Sequence, residues 1–129
     1  MNRKISQLSV LMFSAVLIVL ALDTTVFAAD MSGAWTLTGG TGATKTLTLA
    51  SKGLKFTGTF DSRCPVTGTV TPDNKGYLTD EINFTAKCSS KFEISFHTTP
   101  TKRENGVYRG VYMVTGDKKL FSFTLTRNK

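Results

Sequence analysis

The sequence predicts an all-β fold: an eight-stranded antiparallel up-and-down barrel, carrying one disulfide. Three observations point there. From residue 33 onward, large apolar residues alternate with Thr, Ser or Lys in short runs, the period-two pattern of half-buried strands. The segments between the runs (GGTG, SKG, DSRC, PDNKG, CSS, PTKREN, GDKK) are short and rich in turn formers, so neighbours in sequence become neighbours in space. A meander of this kind leaves two unpaired edges unless its ends meet, which makes closure the expected outcome.

The strands follow in order. Run 33–38 turns Trp35 and Leu37 to one face, and 44–50 does the same with Leu47 and Leu49. Run 54–60 offers Leu54, Phe56 and Phe60, and 65–71 offers Val66 and Val70. Run 77–87 places Leu78, Ile82 and Phe84 inward, and 91–98 places Phe92, Ile94 and Phe96 there. Run 107–115 contributes Tyr108 and Tyr112, and 120–127 contributes Phe121, Phe123 and Leu125. The seventh run also sets Val107, Val111 and Met113 on the outer face, either as a small association patch or because its faces are reversed.

A short repeat supports the barrel. Phe56-Thr-Gly58-Thr-Phe60, Val66-Thr-Gly68-Thr-Val70 and Tyr108-Arg-Gly110-Val-Tyr112 each put glycine between two large apolar residues. A glycine in mid-strand removes a side chain and allows the strong coiling that a small barrel needs. Cys64 and Cys88 are symmetric about Gly76 in the PDNKG turn, which sets them opposite each other on adjacent strands, ready to bridge.

Residues 1–28 read as a secretory signal peptide and residues 29–129 as the domain. Asn2-Arg3-Lys4 gives a positive start, an apolar run follows over 8–22, and Val26-Phe27-Ala28 supplies small residues for cleavage after Ala28. A retained membrane anchor is the alternative, but a span needs about 20 apolar residues and Asp23 stops this run short. The expected location is secreted or periplasmic, where a disulfide is the default.

Without the leader the chain keeps 14 Lys and Arg and 8 Asp and Glu, because Arg3, Lys4 and Asp23 go with it, for a net charge of +6. That balance favours anionic partners without specifying one. No enzymatic arrangement stands out: His97 has outward parity, and no Ser or Cys nucleophile is placed to work with it. Two thiols and one distant histidine do not make a zinc site, and no phosphate loop or nucleic-acid signature is present. We therefore expect no metal, no cofactor and no nucleic acid. Asp80 has inward parity and reads as half of a carboxylate pair, a bulge at a strand start, or a partner for Arg127.

Gly33-Ala34-Trp35 resembles the G-x-W signature of the calycin superfamily, the lipocalins, fatty-acid-binding proteins and avidins. The resemblance implies that Trp35 plugs the closed end of the barrel and that a basic residue ending the last strand packs across its ring. Arg127 is that residue by position and shares the parity of Phe123 and Leu125. Thr46 to Phe60 looks like the second hairpin of the avidins, but the further tryptophans that surround biotin there are missing, so no biotin site is implied. Secreted bacterial inhibitors of metalloproteases are similar in length, leader, early G-x-W and single disulfide. Their inhibitory element precedes the barrel, where this chain has only residues 29–32, and their cysteine spacing differs.

The loops opposite Trp35 carry Lys45, Arg63, Lys87, Lys91, Lys118 and Lys119 against Asp61 and Asp117, a rim of charge +4. With Phe60, Phe92, Tyr112 and Phe121 beneath it, such a rim suits a small apolar or amphipathic anion. The expected function is non-enzymatic binding of that kind, with inhibition of a secreted hydrolase as the alternative. Eight strands make a barrel that side chains just fill or that holds one small ligand, and seven inward phenylalanines favour filling.

Overall fold

Threonine, valine and the aromatics fit the pleated, half-buried surface of a sheet, and the chain uses them to build strands throughout. A computed structural model describes residues 29–129; the signal-peptide reading of 1–28 lies outside the described residues. The strands are β1 (Gly33–Gly39), β2 (Thr44–Lys52), β3 (Lys55–Phe60), β4 (Cys64–Thr71), β5 (Glu81–Lys87), β6 (Glu93–Thr98), β7 (Val107–Val114) and β8 (Phe121–Arg127). Each pairs antiparallel with the next, and β8 pairs back onto β1, closing the barrel.

The registers follow the alternation. Trp35 faces Leu47 on β2 and Arg127 on β8, whereas Thr36, on the other face, meets Thr46 and Thr126. Two of the repeated glycines sit where the ladder comes too close for a side chain. A Cβ on Gly58 would overlap the carbonyl oxygen of Thr48, and one on Gly110 would overlap that of His97. Cys64 and Cys88 form the disulfide, with an S–S distance of 2.06 Å.

The waist of the barrel is filled. Phe84 stacks on Phe96 at a centroid distance of 4.4 Å, and Phe123 meets Phe96 edge-on at 5.4 Å. Phe60 and Tyr112 close on Phe96 from above, at 5.9 and 5.5 Å. Below this column Trp35 is buried beside Tyr108, with ring centroids 5.8 Å apart.

Several expectations change at element ends. The strand expected over 77–87 begins only at Glu81, and Leu78 is exposed, joined to Lys102 by an isolated bridge. The cause is local: the Asp73 carboxylate accepts the Leu78 N–H at 2.9 Å and folds 73–78 into a loop. Leu54 is exposed as well, because it occupies the two-residue turn between β2 and β3 beside Gly53, whose φ is +64°. Phe92, expected inward, precedes β6 and is exposed, and Phe121, also expected inward, opens β8 at the rim and is exposed too. On β7 the tyrosines do face inward, leaving Val107, Val111 and Met113 outside. Conversely Met31, ahead of β1, is fully buried.

Candidate functional site

An even number of strands puts the β1–β2, β3–β4, β5–β6 and β7–β8 connections at one end, the mouth. There a cleft of about 560 Å³ opens above the aromatic waist. Phe96, Leu37 and Ile94 form its floor, while Phe60, Phe92 and Tyr112 contribute to its lining. Each wall residue is set by its strand: Phe60 ends β3, Tyr112 lies near the end of β7, and Cys88, just past β5, ties the far wall to Cys64.

Charge reaches the cleft through one cluster. Lys45 Nζ and Arg63 Nη2 both approach Asp61 Oδ2, at 3.5 and 3.4 Å. These are solvent-exposed pairs, each worth at most about 1 kcal/mol, so both cations remain free to turn toward a ligand. Asp61 and Ser62 hold φ of 55° and 58°, the left-handed region, in a turn closed by the Arg63 N–H donating to the Phe60 carbonyl at 3.1 Å. Positive φ at both central residues suits a tight hairpin, and aspartate tolerates it better than most residues. The turn thus holds Asp61 between the two cations.

Of the residues read from the sequence as ligand-binding, Lys45, Phe60, Arg63, Phe92 and Tyr112 line this cleft together. Lys87, Lys91, Lys118, Lys119 and Phe121 do not. The four lysines are exposed on the surrounding rim, and Phe121 stacks behind Tyr112, with ring centroids 5.3 Å apart. Asp61 was visible in the sequence only as an opposing rim charge; its role as the shared partner depends on a turn conformation that residue spacing does not encode.

The opposite end holds the structural residues. The Arg127 guanidinium lies 4.3 Å from the Trp35 ring centroid, and Gly33 adopts φ of +120° where β1 begins. Asp80 is not paired with Arg127. It is 1 % exposed and bonds the Arg103 guanidinium at 3.1 Å, because the β6–β7 connection folds beneath the loop ahead of β5. A second groove, of about 600 Å³, crosses this floor between Arg103, Glu104 and Arg127.

Burial pushes the Tyr108 phenol above its ordinary value of 10.0, and the Asp80 carboxylate adds to the shift. Asp73 is held below the ordinary carboxylate range chiefly by the Leu78 N–H. His97 is exposed on the outer face, its Nδ1 2.7 Å from Asn83 Oδ1. Among the described residues no group of three His, Cys, Asp or Glu gathers as metal ligands, and no helix is long and apolar enough to cross a membrane. No family model matches this chain, and neither a curated protein nor a solved structure matches it.

Proposed function

We propose that the protein is an exported, non-enzymatic binding module that takes a small apolar or amphipathic anion into the mouth. The observation that carries this reading is the cleft of about 560 Å³, aromatic and aliphatic below and bordered by Lys45 and Arg63 above. Small-molecule sites are typically concave, mostly apolar and supplied with a few converging polar groups. The apolar body of the ligand rests on Phe60, Phe96 and Tyr112, and its charged head turns to the two cations. The disulfide is consistent with an oxidising compartment. The likeness of the G-x-W start to the calycins supports a ligand-binding barrel.

The rival reading is inhibition of a secreted hydrolase through the loops or the segment ahead of the barrel, and its N-terminal form has less support. Met31 is buried, and its N–H donates to Ser51 Oγ at 2.7 Å, so that segment is bound to its own barrel.

Calorimetric titration with dodecanoate, kept below its micelle concentration, tests the proposal. A single-site isotherm is expected, weakened about tenfold, or 1.4 kcal/mol, in a Lys45→Glu, Arg63→Glu variant. Absence of binding, or binding indifferent to those charges, overturns the reading.

A further inference from the structure

At the floor of the barrel a buried carboxylate is aimed at a backbone nitrogen that the sequence marks for release. Asp80 is 1 % exposed. Its Oδ1 accepts the Asp73 N–H at 3.1 Å and a bond from Arg103 Nη2 at 3.1 Å. Its Oδ2 accepts from the Ala29 nitrogen at 2.8 Å. Ala29 packs against the core, and the three residues after it are also held: the Asp30 and Ser32 carbonyls bond Arg127, and Met31 is buried.

Independently, Val26-Phe27-Ala28 closes an apolar leader with the small residues that a leader peptidase reads. Cleavage there would make Ala29 the first residue. We propose that the Ala28–Ala29 bond is a processing site and that Asp80 is the receptor for the ammonium group released by its cleavage.

The step is a hydrolysis. A leader peptidase adds one water across the bond; the C–N bond breaks, and Ala28 leaves with a carboxylate. The Ala29 nitrogen keeps its electron pair, takes up protons and becomes an ammonium, with no oxidation or reduction. The change matters because of what Asp80 then holds. An amide offers one neutral N–H, whereas an ammonium offers three donors and a full charge, and charge-assisted bonds are roughly twice as strong as neutral ones. A buried carboxylate gains most from an ion pair when its other lone pairs are already satisfied, as Asp73 and Arg103 satisfy those of Oδ1. The floor groove of about 600 Å³ borders Ala29, leaving room for water on the remaining ammonium hydrogens.

The consequence is a maturation lock. Met31, two residues on, accepts the Trp35 indole N–H at 2.8 Å, so anchoring Ala29 also steadies the buried tryptophan.

The full chain, expressed in an exporting host, tests this by intact mass and denaturant unfolding. A mass that begins at Ala29 is expected. Selective acetylation of the Ala29 amine, or a precursor with one glycine inserted after Ala28, should lower the folding equilibrium constant roughly fivefold to thirtyfold. In an Asp80→Asn variant the effect of acetylation should vanish. If that variant does not fold, the acetylated and free forms of the unmodified sequence decide alone. A different first residue, equal stability of free, acetylated and extended chains, or an acetylation effect that persists in Asp80→Asn overturns the proposal.

Discussion

The Arg127 guanidinium covers the Trp35 ring at 4.3 Å, although the two residues stand at opposite ends of the folded chain. They face each other across the β1–β8 ladder that closes the barrel. Arg127 Nη1 also donates to the Ser32 carbonyl at 2.7 Å, and Nη2 donates to the Asp30 carbonyl. The indole N–H donates to Met31 from within the core. One side chain thus seals the tryptophan and fastens the segment leading into β1.

Trp35→Ala should cost about 3–5 kcal/mol of stability, the usual range for losing a large buried aromatic. Urea denaturation measures it. Dodecanoate binding at the mouth should persist wherever the variant is folded, because the aromatic waist lies between the two ends. A variant as stable as the parent would remove Trp35 from the role of floor plug.

Gly110→Ala and Gly76→Ala should behave very differently. At Gly110 the added methyl meets the His97 carbonyl and the Thr98 backbone, which must move apart, a cost of about 2–3 kcal/mol. At Gly76, with φ of +74°, the methyl meets nothing within 4 Å, so only the left-handed conformation is penalised, by about 1 kcal/mol. Thermal unfolding of the pair checks the order.

These contrasts show how much was legible in the sequence. The number of strands, their order and the Cys64–Cys88 bridge could be read because period-two alternation and symmetric spacing survive folding unchanged. The meeting of Trp35 with Arg127 needed only parity and an even strand count, together with the resemblance. Leu54 and Leu78 were misplaced because alternation continues through turn tips that have left the sheet. Met31 gave no signal, being a lone apolar residue outside any run, and Arg103 reaches Asp80 through a connection whose path no periodicity describes. At the mouth, the five residues that gather were legible as a charged rim over aromatics. The selection among six rim cations depended on the turn at Asp61, and nothing in composition reveals it.

Asp61→Asn should strengthen anion binding roughly twofold to fivefold, the scale of an exposed ion pair. It removes the carboxylate that faces Lys45 and Arg63 while keeping a residue that tolerates the left-handed turn. Calorimetry with dodecanoate reads the change. Unaltered or weaker affinity would mean that these cations do not receive the charged head.

Stability should decline as pH rises past about 10. The Tyr108 phenol has a folded value above its unfolded one, so between the two the folded state binds more protons. Its contribution is therefore complete below the unfolded value and is lost as pH climbs through the folded one. Unfolding measured from pH 8 to 11 should show this slope, and Tyr108→Phe should reduce it.

Reducing the disulfide should remove about 3 kcal/mol, the loop-closure expectation for a bridge spanning this length of chain. The loss should appear as a lower urea midpoint in dithiothreitol. It should be accompanied by weaker dodecanoate binding, since Cys88 belongs to the cleft wall.

Because β1 and β8 are neighbours, the domain begins and finishes at the Trp35 end. Its topography is therefore that of a cup on a stem. A carrier, bead or fusion partner joined through Lys129 would present the opening outward, away from its support, and leave Ala29 untouched. Orientation on a surface thus follows from strand parity alone, without any dedicated docking face.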